Sequence, residues 1–294
     1  MKLNKINNLL ELFYQQYEKQ NKKDVFLHSL KQPQKKYSWD DVYKNIINLS
    51  KEISVHINKG DRCLLISENR PEWMISDLSI MLAKGITVPA YTTYTERDYD
   101  YIIDDCTPSI VIVSDKTQYE KIKKLTPNKK FIKKIIIFDQ IEDLEDKSII
   151  YLKEIFIKEP INKINFYDLK IQRKDIACII YTSGTQGNPK GVMLSHGGIL
   201  NNCEGSFNLL NKFISERPKF LTWLPLSHSY EHTVQFVQIT VAAKVYYAES
   251  IDKLIKNMGD CGPDIMTAVP RFYQNLYQKI NANFIKTKGL KKYL

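Results

Sequence analysis

The sequence has few of the residues that mark fibrous, low-complexity or disulfide-rich proteins. Its 294 residues include only 11 glycines and 11 prolines, which excludes collagen-like repeats and Gly- or Pro-rich disordered chains. The five cysteines are widely separated and form no Cys-x-x-Cys pair. This spacing argues against a disulfide framework and against a zinc site, so we expect five ordinary buried thiols.

Long apolar runs are also missing. The most apolar stretch, residues 78–89, is interrupted by Lys84 and is shorter than the roughly 18 residues that a membrane-spanning helix needs. The N-terminus lacks both a continuous apolar segment and a small-residue cleavage site, so we expect no signal peptide. Apolar residues make up 43% of the chain and charged residues 26%, as in folded soluble proteins. We therefore expect a cytoplasmic protein.

The charge is strongly basic, with a formal net value of +10. The lysines occur in scattered pairs rather than in one dense block, and no nucleic-acid-binding module is recognisable. This distribution favours solvated lysines on exposed faces, and we expect no nucleic-acid partner. Peripheral contact with the inner face of a membrane stays open.

Hydrophobic periodicity predicts a layered α/β fold of mostly parallel sheets with flanking helices. Residues 1–23 have the spacing of one amphipathic helix, packed on the domain edge or lying on a membrane surface. Ser38 and Asp41 predict the cap of a second helix. A short extended segment is predicted at 25–30. Predicted strands are 63–66, 86–89, 110–113, 135–138, 176–181, 191–194, 220–224, 244–248 and 265–269. Predicted helices between them are 72–84, 96–105, 116–125, 197–212, 230–242, 251–258 and 271–285.

Residues 139–175 are charged and poorly periodic. They predict a division of the chain into an N-terminal α/β subdomain, 1–175, and a second subdomain, 176–294, that is incomplete at its C-terminal end.

Glycine clusters at one place: five of the eleven lie in the fifteen residues from Gly184 to Gly198. Glycines let backbone N–H groups approach a ligand, and nearby hydroxyls and Lys190 would add donors and a cation for a polyphosphate. The order of residues differs from a Walker A loop, because Lys190 precedes Gly191 and the chain continues as a strand rather than a helix. We expect a hairpin whose tip folds over phosphates; a plain surface hairpin is the alternative.

This loop, YTSGTQGNPKGVMLSH at residues 181–196, resembles the phosphate-loop signature of the adenylate-forming (AMP-binding) superfamily. Three further regions are similar to long-chain fatty acyl-CoA synthetases. They are SENRPEW at 67–73 with GITVP at 85–89, LPLSHSYE at 224–231 and AVPRFY at 268–273. The similarity extends from about residue 25 to the C-terminus, in the family's order.

The resemblance implies a fatty acid:CoA ligase, in which a carboxylate attacks the α-phosphate of ATP and the thiol of CoA then displaces AMP. It makes His228 and Lys190 the candidate catalytic residues, with His228 near the acyl carboxylate and the α-phosphate. Thr185 is the candidate hydroxyl for Mg²⁺. The candidate residues for the ATP phosphates are Thr182, Ser183, Gly184, Thr185, Gln186, Gly187 and Lys190.

The remaining candidates have equally good structural explanations. Trp223 and Tyr230 could line the substrate pocket or belong to the core. His232 lies one helical turn after His228, where some relatives place an aromatic gate to the acyl tunnel. Arg271 could bind a phosphate or carboxylate, or simply begin a helix.

The family's later signatures do not occur before Leu294. They include a Tyr-Gly-x-Thr-Glu segment and a small C-terminal domain with a catalytic lysine. The resemblance therefore implies the incomplete large N-terminal domain of such an enzyme, inactive alone, with an open sheet edge and a need for a complementing C-terminal chain. The alternatives are a non-catalytic nucleotide-binding remnant or interaction module, and an enzyme that adenylates an aryl or amino acid.

Overall fold

The computed structural model describes residues 3–144, 146–158, 164–182 and 188–286. Its first elements are α1 (Leu9–Lys19), β1 (Val25–Ser29), β2 (Lys36–Ser38), α2 (Trp39–His56), β3 (Arg62–Ile66), α3 (Pro71–Leu82), β4 (Ile86–Ala90), α4 (Glu96–Cys106), β5 (Ile110–Val113), α5 (Lys116–Lys123), β6 (Lys134–Ile137), β7 (Ile149–Tyr151) and α6 (Leu152–Phe156). They are followed by β8 (Ile176–Thr182), β9 (Lys190–Ser195), α7 (His196–Leu210), β10 (Lys219–Thr222), α8 (Ser229–Thr240), β11 (Lys244–Tyr247), α9 (Leu254–Cys261) and α10 (Pro270–Lys286).

The strands form two sheets, which confirms the expected layered α/β class. The larger sheet has the order β7-β6-β5-β3-β4-β8-β9, and the smaller has the order β10-β11-β1-β2. Neighbouring strands are parallel except in the pairs β8–β9 and β1–β2. The antiparallel β8–β9 pair is the hairpin expected from the sequence, whereas β2 and β7 were not predicted.

Helix α3 lies at the centre of the core. All of its residues are buried, and it contacts strands β1, β3 and β4, and so both sheets, as well as helices α1 and α2. Pro71 occupies the first turn, where a missing N–H costs no helical hydrogen bond. A mostly apolar helix that exposes no face to water is stable only when it is enclosed, and the two sheets with α1 and α2 enclose this one.

The helix predicted over 1–23 is present as α1 but is shorter, so its predicted extent was wrong. A short 3₁₀ turn at Leu3–Lys5 is separated from α1 by Asn8, whose side chain accepts a hydrogen bond from the Glu11 amide at 2.9 Å and donates to the Ile171 carbonyl at 3.1 Å. A capping residue is extended, so the helix cannot continue through it. Leu10 and Phe13 are buried, so the segment packs on the core.

The predicted strand over 265–269 was also wrong. Only Ile265 forms a parallel bridge, to Phe220. The carbonyl of Thr267 instead accepts a hydrogen bond from the Trp223 indole at 2.6 Å, so it is not available to a strand ladder. Pro270 then begins α10.

The expected cap of α2 and the expected buried thiols were confirmed. Ser38 and Asp41 form a capping box at the start of α2, and Thr95 caps α4 in the same way. All five cysteines are free and buried. Within the described residues, no helix has the length and apolarity needed to cross a bilayer.

The division between residues 175 and 176 stays a prediction. Strand pairing crosses it in both sheets, because β4 pairs with β8 and β1 pairs with β11. At one edge of the larger sheet β9 exposes Val192 (45%) and Met193 (65%), which matches the expected open edge.

Candidate functional site

Two small cavities lie where parallel strands of both sheets end. One, of about 240 Å³, is lined by residues that follow β3, β4, β10 and β11, among them Asn69, Thr92, Trp223 and Glu249. The other, of about 260 Å³, shares Tyr91 with the first and adds the end of β8. Ligands of open α/β sheets bind in crevices at the carboxyl ends of strands, so these cavities define the candidate site.

The β8–β9 hairpin brings the phosphate loop to this site. Thr182 pairs with Lys190 at the loop end of the hairpin, and both side chains are exposed. The predicted phosphate ligands Ser183, Gly184, Thr185, Gln186 and Gly187 lie outside the described residues. The structure therefore gives the two ends of the loop and not its tip.

The two strands are held together next to the loop by Tyr181 and Gly191. The Tyr181 hydroxyl donates to the carboxylate of Asp105 on α4, and burial with this carboxylate raises the pKa of the phenol. Gly191 lies across the Tyr181 ring, and a Cβ there would lie 2.8 Å from Cγ2 of Ile179 and 3.3 Å from Cζ of Tyr181. The close approach of β9 to β8 therefore requires glycine at this position.

His228 lies opposite the hairpin, at the N-terminus of α8. Its Nδ1 accepts a hydrogen bond from the Tyr230 amide at 3.2 Å, which makes it the capping residue of the helix. Because Nδ1 accepts, the neutral imidazole carries its proton on Nε2 and can donate from that atom. His228 and Thr182 both line the 260 Å³ cavity. A hydrogen-bond donor, a hydroxyl and a helix N-terminus thus meet there, an arrangement suited to an anion.

The other predicted pocket residues are placed differently. Trp223 lines the 240 Å³ cavity and packs against the Phe272 ring. Tyr230 is 49% exposed and lies outside the linings of both cavities. Arg271 is exposed at the start of α10.

His232 is fully buried and lies outside both linings. Its Nε2 is 2.8 Å from Oδ2 of Asp77 on α3, and Trp73 packs edge-on against the ring. Burial lowers the pKa of His232, but the charge of Asp77 outweighs it and raises the pKa to about 10. Asp77 was missed in the sequence, although an acid within the apolar run of α3 was a signal that it has a buried partner.

Glu231 was also missed. It is only 1% exposed, and one carboxylate oxygen accepts a hydrogen bond from the Thr267 hydroxyl at 2.6 Å. Burial raises its pKa to about 7, against the lowering effect of that bond. Its sequence position within LPLSHSYE gave no sign of burial.

The described part of the chain offers no dedicated metal centre. It contains no group of three or more His, Cys, Asp or Glu side chains that could hold an ion. The described lining of the 260 Å³ cavity supplies hydroxyls and an imidazole but no carboxylate. A larger cavity of about 690 Å³, between α2, α6 and the end of β6, contains none of the predicted site residues.

Sequence comparison identifies the family. The model of the AMP-binding enzyme family matches residues 13–293. Long chain acyl-CoA synthetase 4 of Arabidopsis thaliana is 30% identical over 275 residues, which are 88% of this chain and 41% of that protein. Long-chain-fatty-acid–CoA ligase 5 of Rattus norvegicus is 30% identical over 284 residues, 90% of this chain and 41% of the relative. The chain thus spans about two fifths of the length of these curated relatives.

Solved structures show the same fold. The inhibitor-bound N-terminal domain of FACL13 from Mycobacterium tuberculosis superposes with a TM-score of 0.78 at 17% identity, covering 93% of this chain and 65% of that one. ATP-bound MatB from Rhodopseudomonas palustris gives 0.71 at 20% identity, covering 92% of this chain and 51% of MatB. The chain belongs to the AMP-binding enzyme family, and its sequence relatives are long-chain acyl-CoA synthetases.

Proposed function

We propose that this chain forms the nucleotide-binding part of a long-chain fatty acid:CoA ligase. The observation that supports it most is the pairing of the phosphate-loop hairpin with His228 across one cavity. In the proposed reaction the fatty acid carboxylate attacks the α-phosphate of ATP and releases pyrophosphate. The CoA thiol then attacks the acyl carbon and releases AMP.

The residues divide between binding and charge stabilisation. Thr182, Lys190 and the loop residues 183–187 would hold the β- and γ-phosphates through hydroxyls, backbone N–H groups and one cation. His228 would donate from Nε2 to the oxygens on which charge accumulates during adenylation. Such preorganised donors lower the barrier because they need no reorientation during the reaction.

In this proposal magnesium would enter the site bound to the phosphates of ATP. The hydroxyl of Thr185 is the candidate protein ligand, and the phosphates would supply other oxygens. When bound, the ion would neutralise phosphate charge. The described lining near the loop offers hydroxyl oxygens and no carboxylate, so the phosphates would supply most of the oxygen ligands of the ion.

The substrate class comes from the relatives, whose names specify long-chain fatty acids. Trp223 lines the neighbouring cavity and is the candidate pocket residue there. The buried His232 and the exposed Tyr230 lie outside both cavity linings, so neither would contact the substrate there directly. Peripheral membrane contact would bring a poorly soluble substrate to the site. A complementing C-terminal chain would supply the catalytic lysine that the resemblance implies.

The test is fatty-acid-dependent exchange of labelled pyrophosphate into ATP. The protein used is the polypeptide as the source cells make it, and immunoblotting first establishes the size of that polypeptide. Lys190→Gln is expected to raise the KM for ATP about tenfold, since a charge-assisted phosphate bond is lost. Lys212→Gln removes an equally exposed lysine after α7 and serves as the matched control.

Unchanged exchange in the Lys190→Gln variant would contradict the phosphate role. Faster exchange with benzoates or amino acids than with C12–C18 fatty acids would favour an aryl- or amino-acid-adenylating enzyme. Nucleotide binding without exchange would favour a non-catalytic module.

A further inference from the structure

The carboxamide of Asn69 binds the main chain of the loop that precedes α8. Its Nδ2 donates to the carbonyl of Leu224 at 2.6 Å, and its Oδ1 accepts from the amide of Leu226 at 3.1 Å. Only one orientation of the carboxamide satisfies both contacts, because the flipped group would face donor with donor and acceptor with acceptor. Asn69 therefore holds two points of a segment more than 150 residues away in sequence.

These two points lie on either side of Pro225, at the beginning of a tight turn. The carbonyl of Pro225 accepts a hydrogen bond from the His228 amide at 3.0 Å, so the turn ends at His228. Proline has no N–H to offer, and the polar groups of Leu224 and Leu226 that Asn69 binds have no second partner among the described residues. The side chain of Asn69 thus provides the hydrogen bonds to the main chain that fix this turn from outside.

The backbone next to Asn69 is itself held in place by neighbouring contacts. It follows β3 and precedes Arg70, which is 6% exposed. The guanidinium of Arg70 binds both carboxylate oxygens of Asp139, at 2.8 and 3.0 Å, and Glu72 at 2.9 Å. This bidentate ion pair fixes the backbone next to Asn69 and limits the movement of its side chain.

We propose that Asn69 is the positioning residue for His228. By fixing Leu224 and Leu226, it sets the position of the imidazole across the cavity from Thr182. The catalytic consequence rests on the proposed function. The two hydrogen bonds from Asn69 to Leu224 and Leu226, here called the clamp, can be measured without it. Asn69 lines the neighbouring 240 Å³ cavity but not the cavity that His228 and Thr182 share, so its effect on His228 passes through the loop.

The test compares Asn69→Asp with Asn69→Ala. The introduced carboxylate can accept from Leu226 but repels the Leu224 carbonyl, whereas its protonated form can donate to that carbonyl and restore both bonds. For Asn69→Asp we expect exchange of pyrophosphate with a kcat about tenfold below wild type at pH 8 and an unchanged KM for ATP. The ratio of variant to wild-type kcat should rise as the pH falls toward 5.5.

For Asn69→Ala the loss of kcat should not recover at low pH. Its Leu226 amide should also exchange with solvent about tenfold faster, and the His228 ring nitrogens should shift in NMR spectra. Asn202→Asp removes a comparable donor, the exposed bond from Asn202 to the Gly198 carbonyl at 3.0 Å, and should match wild type.

A pH-independent ratio for Asn69→Asp, or wild-type exchange of the Leu226 amide in Asn69→Ala, would overturn the clamp. If the wild-type polypeptide as the source cells make it, together with any complementing C-terminal chain, exchanges no pyrophosphate, the proposed function fails. The Leu226 and His228 signals then decide the clamp on their own.

Discussion

Asp77 and His232 form an ion pair across the core, with Oδ2 and Nε2 2.8 Å apart and both side chains fully buried. Gln235 donates to the same carboxylate oxygen at 3.0 Å. The contact joins α3, at the centre of the fold, to α8, which carries His228 at its N-terminus. The pair therefore fixes the helix from which His228 extends.

Asp77→Asn is expected to destabilise the protein by about 3 to 5 kcal/mol near pH 6, since one partner of a buried ion pair is lost. The pKa of His232 is raised to about 10 in the folded protein, against about 6.5 in an unfolded chain. The contribution of this pair to stability is therefore complete below pH 6.5 and is lost as the pH rises toward 10.

Urea unfolding of wild type and Asp77→Asn at several pH values from 6 to 10 measures this contribution. The difference in unfolding free energy should be largest at pH 6 and shrink steadily above it. Asp260→Asn breaks an exposed ion pair with Lys256 on α9 and should change stability little at any pH. A constant difference between wild type and Asp77→Asn would show that His232 is neutral in the folded protein.

Glu231→Gln is expected to stabilise the protein at neutral pH. The pKa of Glu231 is raised to about 7 by burial, so the folded state holds a proton that the unfolded state releases near pH 4.5. Stability is then lost as the pH rises from 4.5 to 7, and an uncharged amide avoids this loss. We expect a gain of about 2 to 3 kcal/mol at pH 8.

The amide can still accept from the Thr267 hydroxyl, so the measured change reports the charge. Unfolding at pH 4.5 should show no gain, and the exposed Glu216→Gln should show none at either pH. A destabilised Glu231→Gln variant at pH 8 would mean that the carboxylate has a charged partner.

Much of the fold could be predicted because parallel strands and their helices have strong local patterns. Buried runs such as Ile110–Val113 and the capping box of Ser38 and Asp41 are visible within a few residues. The pairing of β1 with β11 could not be predicted, because it joins residues more than 200 positions apart. Strand β7 is only three residues long, too short for a periodic signal.

The candidate site was predictable only in its local part. The hairpin followed from the order of Lys190 and Gly191, and His228 from its motif. The contacts that hold these residues in place were invisible, because Asn69 and Asp77 bind groups about 155 residues away. A sequence pattern shows which side chains can react, whereas packing decides what positions them.

Gly191→Ala is expected to disturb the hairpin that carries the phosphate loop. The added methyl would lie 2.8 Å from Cγ2 of Ile179, which is attached next to the backbone and cannot swing away. Overpacking of this kind costs about 1 to 3 kcal/mol.

Gly205→Ala is the matched control for this change. Gly205 lies within α7, and apart from its chain neighbours and the adjacent helix backbone no atom lies within 4 Å of an added Cβ, so the same substitution there should stabilise the protein by about 0.5 to 1 kcal/mol. Urea unfolding of both variants measures whether each substitution raises or lowers the free energy of unfolding. Because Gly191 lies next to Lys190 in β9, Gly191→Ala should also weaken ATP binding, and Gly205→Ala should not. Equal stability changes in the two variants would mean that β9 can move away from Tyr181 without cost, and that the hairpin is not held by this contact.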